Sequence, residues 1–509
     1  MSIPSSSPEL GHHFDGETAP FLSREPSDPL APSQPEDNDG QKSELSKSTR
    51  LRLLITLIVI LLSFEIGGQM ITGPMVRVIE TIACDNYWRH HDPARLPATG
   101  HLPEHLCKIA PVQTEVATVK GYSDLLEGLL CAICSIPYGI LADRYGRRRA
   151  IRLTVPGFLL NALITNSVLW FSNALPLKAI WLAAFSWVIG GGPSVALIVI
   201  WTMLADLSTD AQRATLFFRV GLASQIASFV ASAISSGLMS VNPWIPLLGG
   251  CGTVMIGLCC ALSLPETMNT VSKTSEPAKP VSDEPFPTCE TSLGSEPVHS
   301  VLLGKFVRLI RPYLFIFNRR LLLLLFCFGT VQVAQTSSSF LTQYISTRFT
   351  WTLARAHFLT SFHMAITIPV FLFLLPFLSK KVLQSSSLPR RDLQVARFSD
   401  IALILGSLGI GLSPSVLFLI PSICIHATGA GFAIVIRSLV TALVKREETA
   451  RLYSAIELMQ MFGGVVGSLC FTNAFNFGLR MSGVGAGLVW ILGSLLYALV
   501  GVSLAFVRV

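Results

Sequence analysis

Apolar runs of about 20 residues, separated by short polar stretches, follow one another from about residue 51 to the end of the sequence. An α-helix of about 20 apolar residues is long enough to cross the hydrocarbon core of a bilayer. Six such runs precede a long polar stretch and six follow it, which predicts twelve membrane-spanning helices. The predicted spans are 52–76, 119–141, 151–171, 178–204, 214–239, 244–264, 320–345, 355–379, 398–413, 415–440, 452–476 and 483–507.

Two long polar segments fall outside this pattern. Residues 1–50 and much of 266–319 are rich in Pro, Ser, Asp and Glu and show no apolar period. Segments of this composition do not bury enough apolar surface to fold. We predict a disordered cytoplasmic tail at 1–50 and a cytoplasmic linker at 266–319, which joins a first bundle (51–265) to a second bundle (320–509).

The composition also indicates a membrane protein. Hydrophobic residues make up 51% of the chain and charged residues only 14%, whereas a soluble protein carries about 25% charged residues. Since so few charges cannot cover a water-facing surface, most of the exterior must face lipid. An all-α membrane protein is therefore predicted, in agreement with the mean hydropathy of +0.57.

The distribution of Lys and Arg predicts the orientation. An even number of spans puts both termini on one side, and most basic residues fall on that side. Because basic loops stay in the cytoplasm, both termini are predicted to be cytoplasmic, in the plasma membrane or the vacuolar membrane. The net charge of +7 follows from this asymmetry, and no nucleic-acid surface is expected. The loops on the opposite side hold Arg89, Arg95, Lys108, Lys178, Arg348, Arg355 and Arg480.

The two halves of the chain share a short pattern. The segment 205–218 follows the fourth span and 443–456 follows the tenth, and one constant shift aligns them. This shift places Asp210 on Glu448 and Arg213 on Arg451, at matching helix ends. Together with the span count, the match predicts two pseudosymmetric six-helix bundles.

A dense charge cluster, "GILADRYGRRRA" at 139–150, lies in the predicted turn between spans two and three. Cytoplasmic placement explains its arginines, but not Asp143 or the two glycines. Gly139 is expected to allow close approach of a neighbouring helix, and Gly146 to supply the positive φ of a short turn. Asp143 is expected near a helix N-terminus, where a carboxylate is favoured.

The cluster closely resembles the signature loop of the major facilitator superfamily. The matching residues are Gly139, Leu141, Asp143, Arg144, Gly146, Arg147 and Arg148. The resemblance covers 51–509 and implies the major facilitator fold, with this loop as a cytoplasmic latch. It implies that Asp143 faces span eleven and that the arginines pair with Asp206 or Asp210, in a network that includes Arg213. The loop after span eight keeps its positive charge but lacks both glycines and the Asp.

Longer stretches, such as "IGGGPSVALIVIWTMLADLSTDAQRATLFF", resemble a fungal branch that often accompanies specialised-metabolite pathways. This resemblance implies a monomeric transporter that works by alternating access, with proton-coupled efflux of a small organic molecule. The alternatives are a nutrient importer of the same fold and a non-transporting receptor or scaffold. The usual Arg-x-x-Gln-Gly of span four and the Gly-Pro antiporter signature of span five are absent.

Polar groups within predicted spans are candidates for function, because charges there are costly. Glu65 and Glu127 are expected either to carry protons or to hydrogen-bond neighbouring helices. Arg437 and Glu457 lie on adjacent spans and are expected either to pair or to contact substrate at a gate. His363 and His426 are interpreted as isolated packing residues. The neutral candidates for the substrate cavity are Gln69, Gln225, Gln332, Gln335 and Gln460.

Two of the cysteines, Cys84 and Cys107, fall in the predicted first outside loop, 80–118. That side is oxidising, so a disulfide between them is predicted, with two free thiols as the alternative. The sequence contains no nucleophile–base arrangement, phosphate loop or Cys/His metal motif. Neither an enzyme nor a cofactor or metal is therefore expected.

Overall fold

A computed structural model describes residues 47–95, 102–207, 210–264, 318–374, 377, 388–444, 449–481 and 483–507, which all belong to one compact unit, Leu45–Val509. The side chains at 47–48, 143–144, 210–215, 388–389, 442, 449–451 and 483–484 are not part of this description. Most of the predicted tail, 1–50, and nearly all of the predicted linker, 266–319, lie outside the described residues. The described part is helical and contains no strand.

Twelve described helices are long and apolar enough to cross a membrane, which confirms the predicted number. Three of them (α4, α7 and α10) contain a 3₁₀ segment, α8 ends in a π turn, and a 3₁₀ turn, Gly483–Gly487, precedes α12. The helices are α1 Lys47–His91, α2 Ala110–Tyr145, α3 Arg147–Trp170, α4 Leu177–Val188 and Gly192–Leu207, α5 Asp210–Met239, α6 Trp244–Leu262, α7 Arg319–Gln335, Thr336–Phe340 and Leu341–Arg348, α8 Leu353–Pro369 and Val370–Leu374, α9 Leu388–Leu412, α10 Val416–Thr428, Gly429–Gly431 and Phe432–Ala442, α11 Thr449–Arg480 and α12 Leu488–Phe506.

Helix α1 is much longer than the predicted span 52–76. It begins at Lys47, inside the predicted tail, and continues through Pro74 to His91. Arg77 and Glu80 lie just beyond the predicted end of this span. They are one helical turn apart and form an ion pair, so the helix continues through them. Since α2 also begins early, at Ala110, the predicted loop 80–118 is mostly helical.

Helix α9 was predicted at 398–413, but it begins at Leu388. Its first turns carry charges that lower the local hydropathy. These charges are accommodated because Arg397 donates to the Leu504 carbonyl (2.9 Å) and Asp392 accepts from Ser438 (2.8 Å). A hydropathy pattern alone therefore places the start of this helix about ten residues too late.

The packing of the helices follows the predicted duplication. Helix α1 packs on α5 and α6, and α7 packs on α11 and α12 in the same way. Helices α3 and α4 pair like α9 and α10. The two bundles meet where α2 packs on α11 and α5 packs on α8, which is again a symmetric pair of contacts.

The two ends of the bundle differ in chemistry. At one end, here called the disulfide end, α1 leads to α2 through two short 3₁₀ turns, Pro93–Arg95 and Glu104–Cys107. At the other end, here called the latch end, α2 turns into α3 at Gly146. Separate apolar clusters fill the first bundle near each end, and the cluster of the second bundle near the disulfide end includes Ala117 of α2.

Candidate transport site

A cavity of about 490 Å³ lies inside the first bundle, between α1, α2, α3, α4 and α6. Both predicted carboxylates, Glu65 of α1 and Glu127 of α2, line it. One wall is aromatic: the ring centroid of Phe158 lies 5.1 Å from that of Phe64 and 4.9 Å from that of Trp187. The cavity therefore combines two acids with three aromatic rings.

The polar groups of this cavity are carboxylates, side-chain amides, hydroxyls and an indole N–H. The Ser228 hydroxyl donates to Glu65 Oε1 at 2.5 Å, which ties the carboxylate to α5. The side-chain amides of Asn161 and Asn166 donate to the carbonyls of Ala183 (2.9 Å) and Ala162 (2.8 Å). Oxygen Oδ1 of Asn166 is buried without a partner among the described residues. The lining therefore offers two carboxylates and the Asn166 amide oxygen as acceptors, and the Trp187 indole N–H as a donor.

Two further cavities lie where the bundles face each other, and Gln225 of α5 lines both. One, of about 520 Å³, is formed by α5, α8, α9 and α10 and includes Phe217 and Asp392. The other, of about 270 Å³, includes His363 and His426. Of the five glutamines predicted for the cavity, Gln225 is the one that lines a cavity described here.

Three predicted cavity glutamines lie elsewhere. Gln332 packs against α11 at Gly463. Gln335 ends the first α-helical segment of α7 and is exposed, and Gln69 is half-buried without lining any of the three cavities. The prediction rests on depth in the membrane, which does not determine the face of the helix on which a residue lies.

Arg437 and Glu457 form the ion pair that their positions on adjacent helices favour. Arg437 donates to Glu457 Oε1 at 2.9 Å and to Gln460 Oε1 at 3.0 Å. The side chains of Arg437 and Glu457 are 40% and 50% exposed. The contact joins α10 to α11 within the second bundle.

At the latch end, the turn between α2 and α3 is held by an ion pair between Arg147 and Asp206 of α4. Arg147 also donates to the Thr202 carbonyl at 2.9 Å. The predicted positive φ of Gly146 is confirmed at 98°. Arg50 of α1 donates to the Leu207 carbonyl at 2.8 Å, so that α1, α3 and α4 are linked at this end.

Gly139 does not serve the close helix contact expected of it. A Cβ built at this position would meet no heavy atom within 4 Å among the described residues. Leu141 lies in the last turns of α2, and Arg148 follows Arg147 in the first turn of α3. The side chains of Asp143, Arg144, Asp210 and Arg213 lie outside the described part, and so do their predicted contacts.

The predicted disulfide between Cys84 and Cys107 is confirmed. Its Cα atoms lie 5.3 Å apart, and both residues are buried. The bridge lies in a segment that is mostly helical among the described residues. It fixes the 3₁₀ turn Glu104–Cys107 against the last third of α1.

A network of four charged residues surrounds this turn. Lys108 Nζ lies 2.7 Å from Glu80 Oε1 and 2.8 Å from Glu104 Oε1. Arg77 Nη1 lies 2.9 Å from Glu80 Oε2, and its Nε lies 3.4 Å from Glu104 Oε2. All four side chains are largely or fully buried, so each charge depends on the others.

The network reaches the second bundle through Gln113 and Glu104. Gln113 Nε2 donates to Glu80 Oε1 at 2.6 Å, and Gln343 of α7 donates to Gln113 Oε1 at 3.0 Å. The backbone N–H of Leu353, at the start of α8, donates to Glu104 Oε1 at 2.6 Å. Glu104 is thus hydrogen-bonded directly to α8, and Glu80 is linked to α7 through Gln113.

Part of this network is visible in the sequence as a pair of opposite charges. Arg77 and Glu80 have opposite charges at helical spacing, directly after a predicted span. The apolar pattern places both residues beyond the end of that span, where polar residues are ordinary and do not indicate a site. The pairing with Glu104 and Lys108 depends on the fold of the connection, which spacing does not reveal.

Further contacts between the bundles lie along α2 and α11. Ser468 donates to the Gly121 carbonyl at 2.7 Å, and Asn476 donates to Thr118 at 3.0 Å. Nearer the latch end, the Ser135 hydroxyl faces the sulfur of Met461 at 3.9 Å. In this conformation the bundles are therefore held together at the disulfide end.

Two six-helix bundles that meet along symmetric helix pairs, with cavities inside and between them, define a polytopic membrane transporter. The chain belongs to the Major Facilitator Superfamily, whose family model matches residues 118–468. It is similar to the MFS-type transporter aprT of Aspergillus flavus, with 40% identity over 510 residues, 99% of this chain and 97% of that protein. Its relatives are named as transporters and efflux pumps, and it is a transporter, not an enzyme.

Other known proteins agree with this assignment. The MFS efflux pump atnC of Emericella nidulans is 31% identical over 94% of this chain and 90% of its own length. Among solved structures, the nucleoside transporter NupG gives a TM-score of 0.59 at 16% identity, over 89% of this chain and 99% of that structure. The xylose transporter XylE from E. coli gives 0.57 at 13% identity, over 91% and 98%. At such low identity the solved structures show the fold alone.

Proposed function

We propose that this transporter exports a small, amphipathic, positively charged organic molecule, a specialised metabolite, in exchange for protons. The observation that carries the proposal is the cavity in which Glu65 and Glu127 share one space with three aromatic rings. The proposed unit is a monomer, with both termini in the cytoplasm, in the plasma membrane or the vacuolar membrane.

The chemistry of the two ends supports this orientation. The buried disulfide suits a compartment that is oxidising, and the disulfide end is therefore the external or vacuolar end. Arginines cluster at the latch end, at Arg50, Arg52 and 147–149, and basic residues stay on the cytoplasmic side. The conformation is then closed to the outside, and substrate enters from the cytoplasm.

The cavity supports a cationic substrate. Aromatic faces attract organic cations, and a carboxylate in the bilayer is costly unless a cation or a proton balances its charge. Glu65 and Glu127 therefore suit two alternative occupants. A cation from the cytoplasm binds the carboxylates, and protons from the acidic side displace it after the bundles have rocked.

Alternating access requires two sets of contacts that close opposite ends. The network around Glu80 and Lys108 is proposed to be the outer gate, and the contacts around Arg147 and Asp206 to belong to the cytoplasmic latch. The names of atnC and of the efflux pump ustT of Aspergillus flavus, which is 25% identical over 82% of this chain, support export as the direction.

Transport into membrane vesicles of opposite orientation tests the proposal, with ethidium as a planar aromatic cation. We expect inverted vesicles with an acidic lumen to accumulate ethidium, and vesicles without the protein or without the pH gradient to accumulate none beyond passive entry. Accumulation confined to right-side-out vesicles would indicate an importer instead. Glu127→Gln is expected to weaken ethidium uptake, because it removes one of the two carboxylates.

A further inference from the structure

A cluster of buried polar atoms in the second bundle has no hydrogen-bond partner among the described residues. They lie on α9, α10 and α12 and belong to residues with 0–6% exposure. Buried polar atoms are normally paired, so several unpaired ones in one region mark a site that binds something small. The atoms are Asp400 Oδ1, Ser407 Oγ, His426 Nε2, Trp490 Nε1 and Tyr497 Oη.

Asp400 is the acid of this cluster and lies in the middle of α9, with 1% exposure. Its Oδ2 lies against α12, so close that a Cβ on Gly501 would be 2.6 Å away. Tyr497, one turn earlier on α12, lies on the same face of that helix as Gly501. The nearest basic residue of its own helix, Arg397, is exposed and donates to the Leu504 carbonyl.

A row of groups leads from Asp400 to the space between the bundles. The ring of His426 has its centroid 6.3 Å from that of Tyr497, and its Nδ1 lies 3.2 Å from His363 Nε2. His363 and His426 both line the cavity of about 270 Å³ that Gln225 of the first bundle also lines. The two histidines are therefore neighbours, not the isolated packing residues that the sequence suggested.

An ionised Asp400 would be unfavourable here. Among the described residues no Lys or Arg forms an ion pair with it, and an unpaired carboxylate buried deep in a protein is strongly destabilising. A protonated carboxyl group avoids that cost and can donate a hydrogen bond. An apolar side chain could be buried at this position with a smaller loss of free energy than a carboxyl group, so the presence of an acid indicates a function.

We propose that Asp400 is a proton-binding site, which is loaded from the cavity between the bundles through His363, His426 and Tyr497. His363 takes up a proton on one ring nitrogen and releases one from Nε2 to His426 Nδ1. His426 then releases a proton from its own Nε2 towards Tyr497 and Asp400, through a bridging water where direct contact is lacking. Both imidazoles end neutral, and the carboxylate becomes a carboxylic acid.

This site lies in the second bundle and is separate from Glu65 and Glu127. Its use in transport rests on the proposed function, since coupling requires proton-driven exchange. Its occupancy by a proton does not depend on transport, because it follows from the geometry of the folded chain.

Infrared spectroscopy of the purified full-length protein tests the occupancy. At neutral pH we expect a C=O stretching band of a protonated carboxyl group that disappears in Asp400→Asn and shifts in Tyr497→Phe, which removes the hydroxyl proposed to bridge to Asp400. Asp92→Asn, which removes an exposed carboxylate paired with Arg95, is the matched control and should leave the band unchanged. An unchanged band in folded Asp400→Asn, or in folded Tyr497→Phe if the first variant does not fold, would overturn the proposal.

Transport by the same variants separates this proposal from the proposed function. We expect Asp400→Asn to lose ethidium accumulation driven by a pH gradient and to keep ethidium exchange at equal concentrations. If the wild type shows the band but no gradient-driven accumulation, the proposed function fails and the site stands. If Asp400→Asn accumulates ethidium like the wild type, the site has no part in coupling and its proposed use is wrong.

Discussion

The ammonium group of Lys108 lies 2.7 Å from the carboxylate of Glu80, and the two side chains are only 4% and 1% exposed. Glu80 belongs to α1 and Lys108 precedes α2, yet Gln113 links the pair to Gln343 of the second bundle. The contact is thus both a structural bond within the first bundle and part of the closure between the bundles.

Glu80→Gln should destabilise the protein, because it leaves the buried charge of Lys108 with one acid instead of two. We expect a loss of about 3 kcal/mol in the free energy of unfolding, measured in mixed micelles. The double variant Glu80→Met with Lys108→Met should recover part of the loss, because neither charge is left alone. As a control, Asp92→Asn breaks an exposed pair with Arg95 and should cost less than about 1 kcal/mol. If Glu80→Gln and Asp92→Asn lowered the free energy of unfolding equally, burial of the Glu80–Lys108 pair would not contribute to stability.

The disulfide should contribute stability by restricting the unfolded chain. Cys84→Ser with Cys107→Ser is expected to lower the free energy of unfolding by about 3 kcal/mol, the value for a loop of this length. Reduction of the wild type should reproduce the loss and leave the double variant unaffected. If both cysteines react with a thiol reagent before reduction, the bridge is absent from the protein.

Gly121 should be essential for closing the disulfide end. A Cβ on it would overlap the side chain of Thr472 on α11, a β-branched residue that cannot easily turn aside. Gly128, two turns later on α2, provides the control, because a Cβ there would lie 3.4 Å from Val465, an ordinary contact.

We expect Gly121→Ala to expose the closed interface and Gly128→Ala not to do so. A cysteine introduced by Ser346→Cys, at a residue of α7 that is 1% exposed and hydrogen-bonds within its own bundle, reports the difference. Its labelling by a membrane-impermeant thiol reagent, read by mass spectrometry of the peptide, should increase in the first background alone. Equal labelling in both backgrounds would show that Gly121 does not control this closure.

The sequence predicted the parts of the fold that depend on apolar length. The number of spans and the Cys84–Cys107 bridge could be predicted, because hydropathy and the oxidising side determine them. The ends of α1 and α9 could not. At Arg77, Glu80 and Arg397, polar residues continue a helix because partners elsewhere in the fold accept them.

The candidate site was predictable only in part. Glu65 and Glu127 are marked by charge within apolar runs, and the structure places them in one cavity. Gln332 and Gln335 have the right depth but the wrong face. Asp400 was not singled out, because the charged start of α9 disguised its position in the middle of a helix. Neighbours from distant parts of the chain, such as His363 and His426, leave no local pattern.

The latch should depend on the ion pair between Arg147 and Asp206. Asp206→Asn removes the carboxylate that pairs with Arg147, and the loss of about 1 kcal/mol expected for this partly buried pair corresponds to an about fivefold slower rate of ethidium transport. Membrane expression should remain near normal. Exchanging the two charges, by Arg147→Asp with Asp206→Arg, should restore part of the rate. Wild-type transport by Asp206→Asn would remove this pair from the latch.

The exchange of protons for a cation is the central claim, and one measurement tests it directly. Proteoliposomes with an acidic lumen and a trapped pH indicator receive ethidium from outside, with the membrane potential clamped and protein-free liposomes as the control. The wild type should release luminal protons as ethidium enters. Glu65→Gln should lose this release while it still exchanges labelled for unlabelled ethidium. Entry of ethidium into wild-type proteoliposomes with no change in luminal pH would contradict the account.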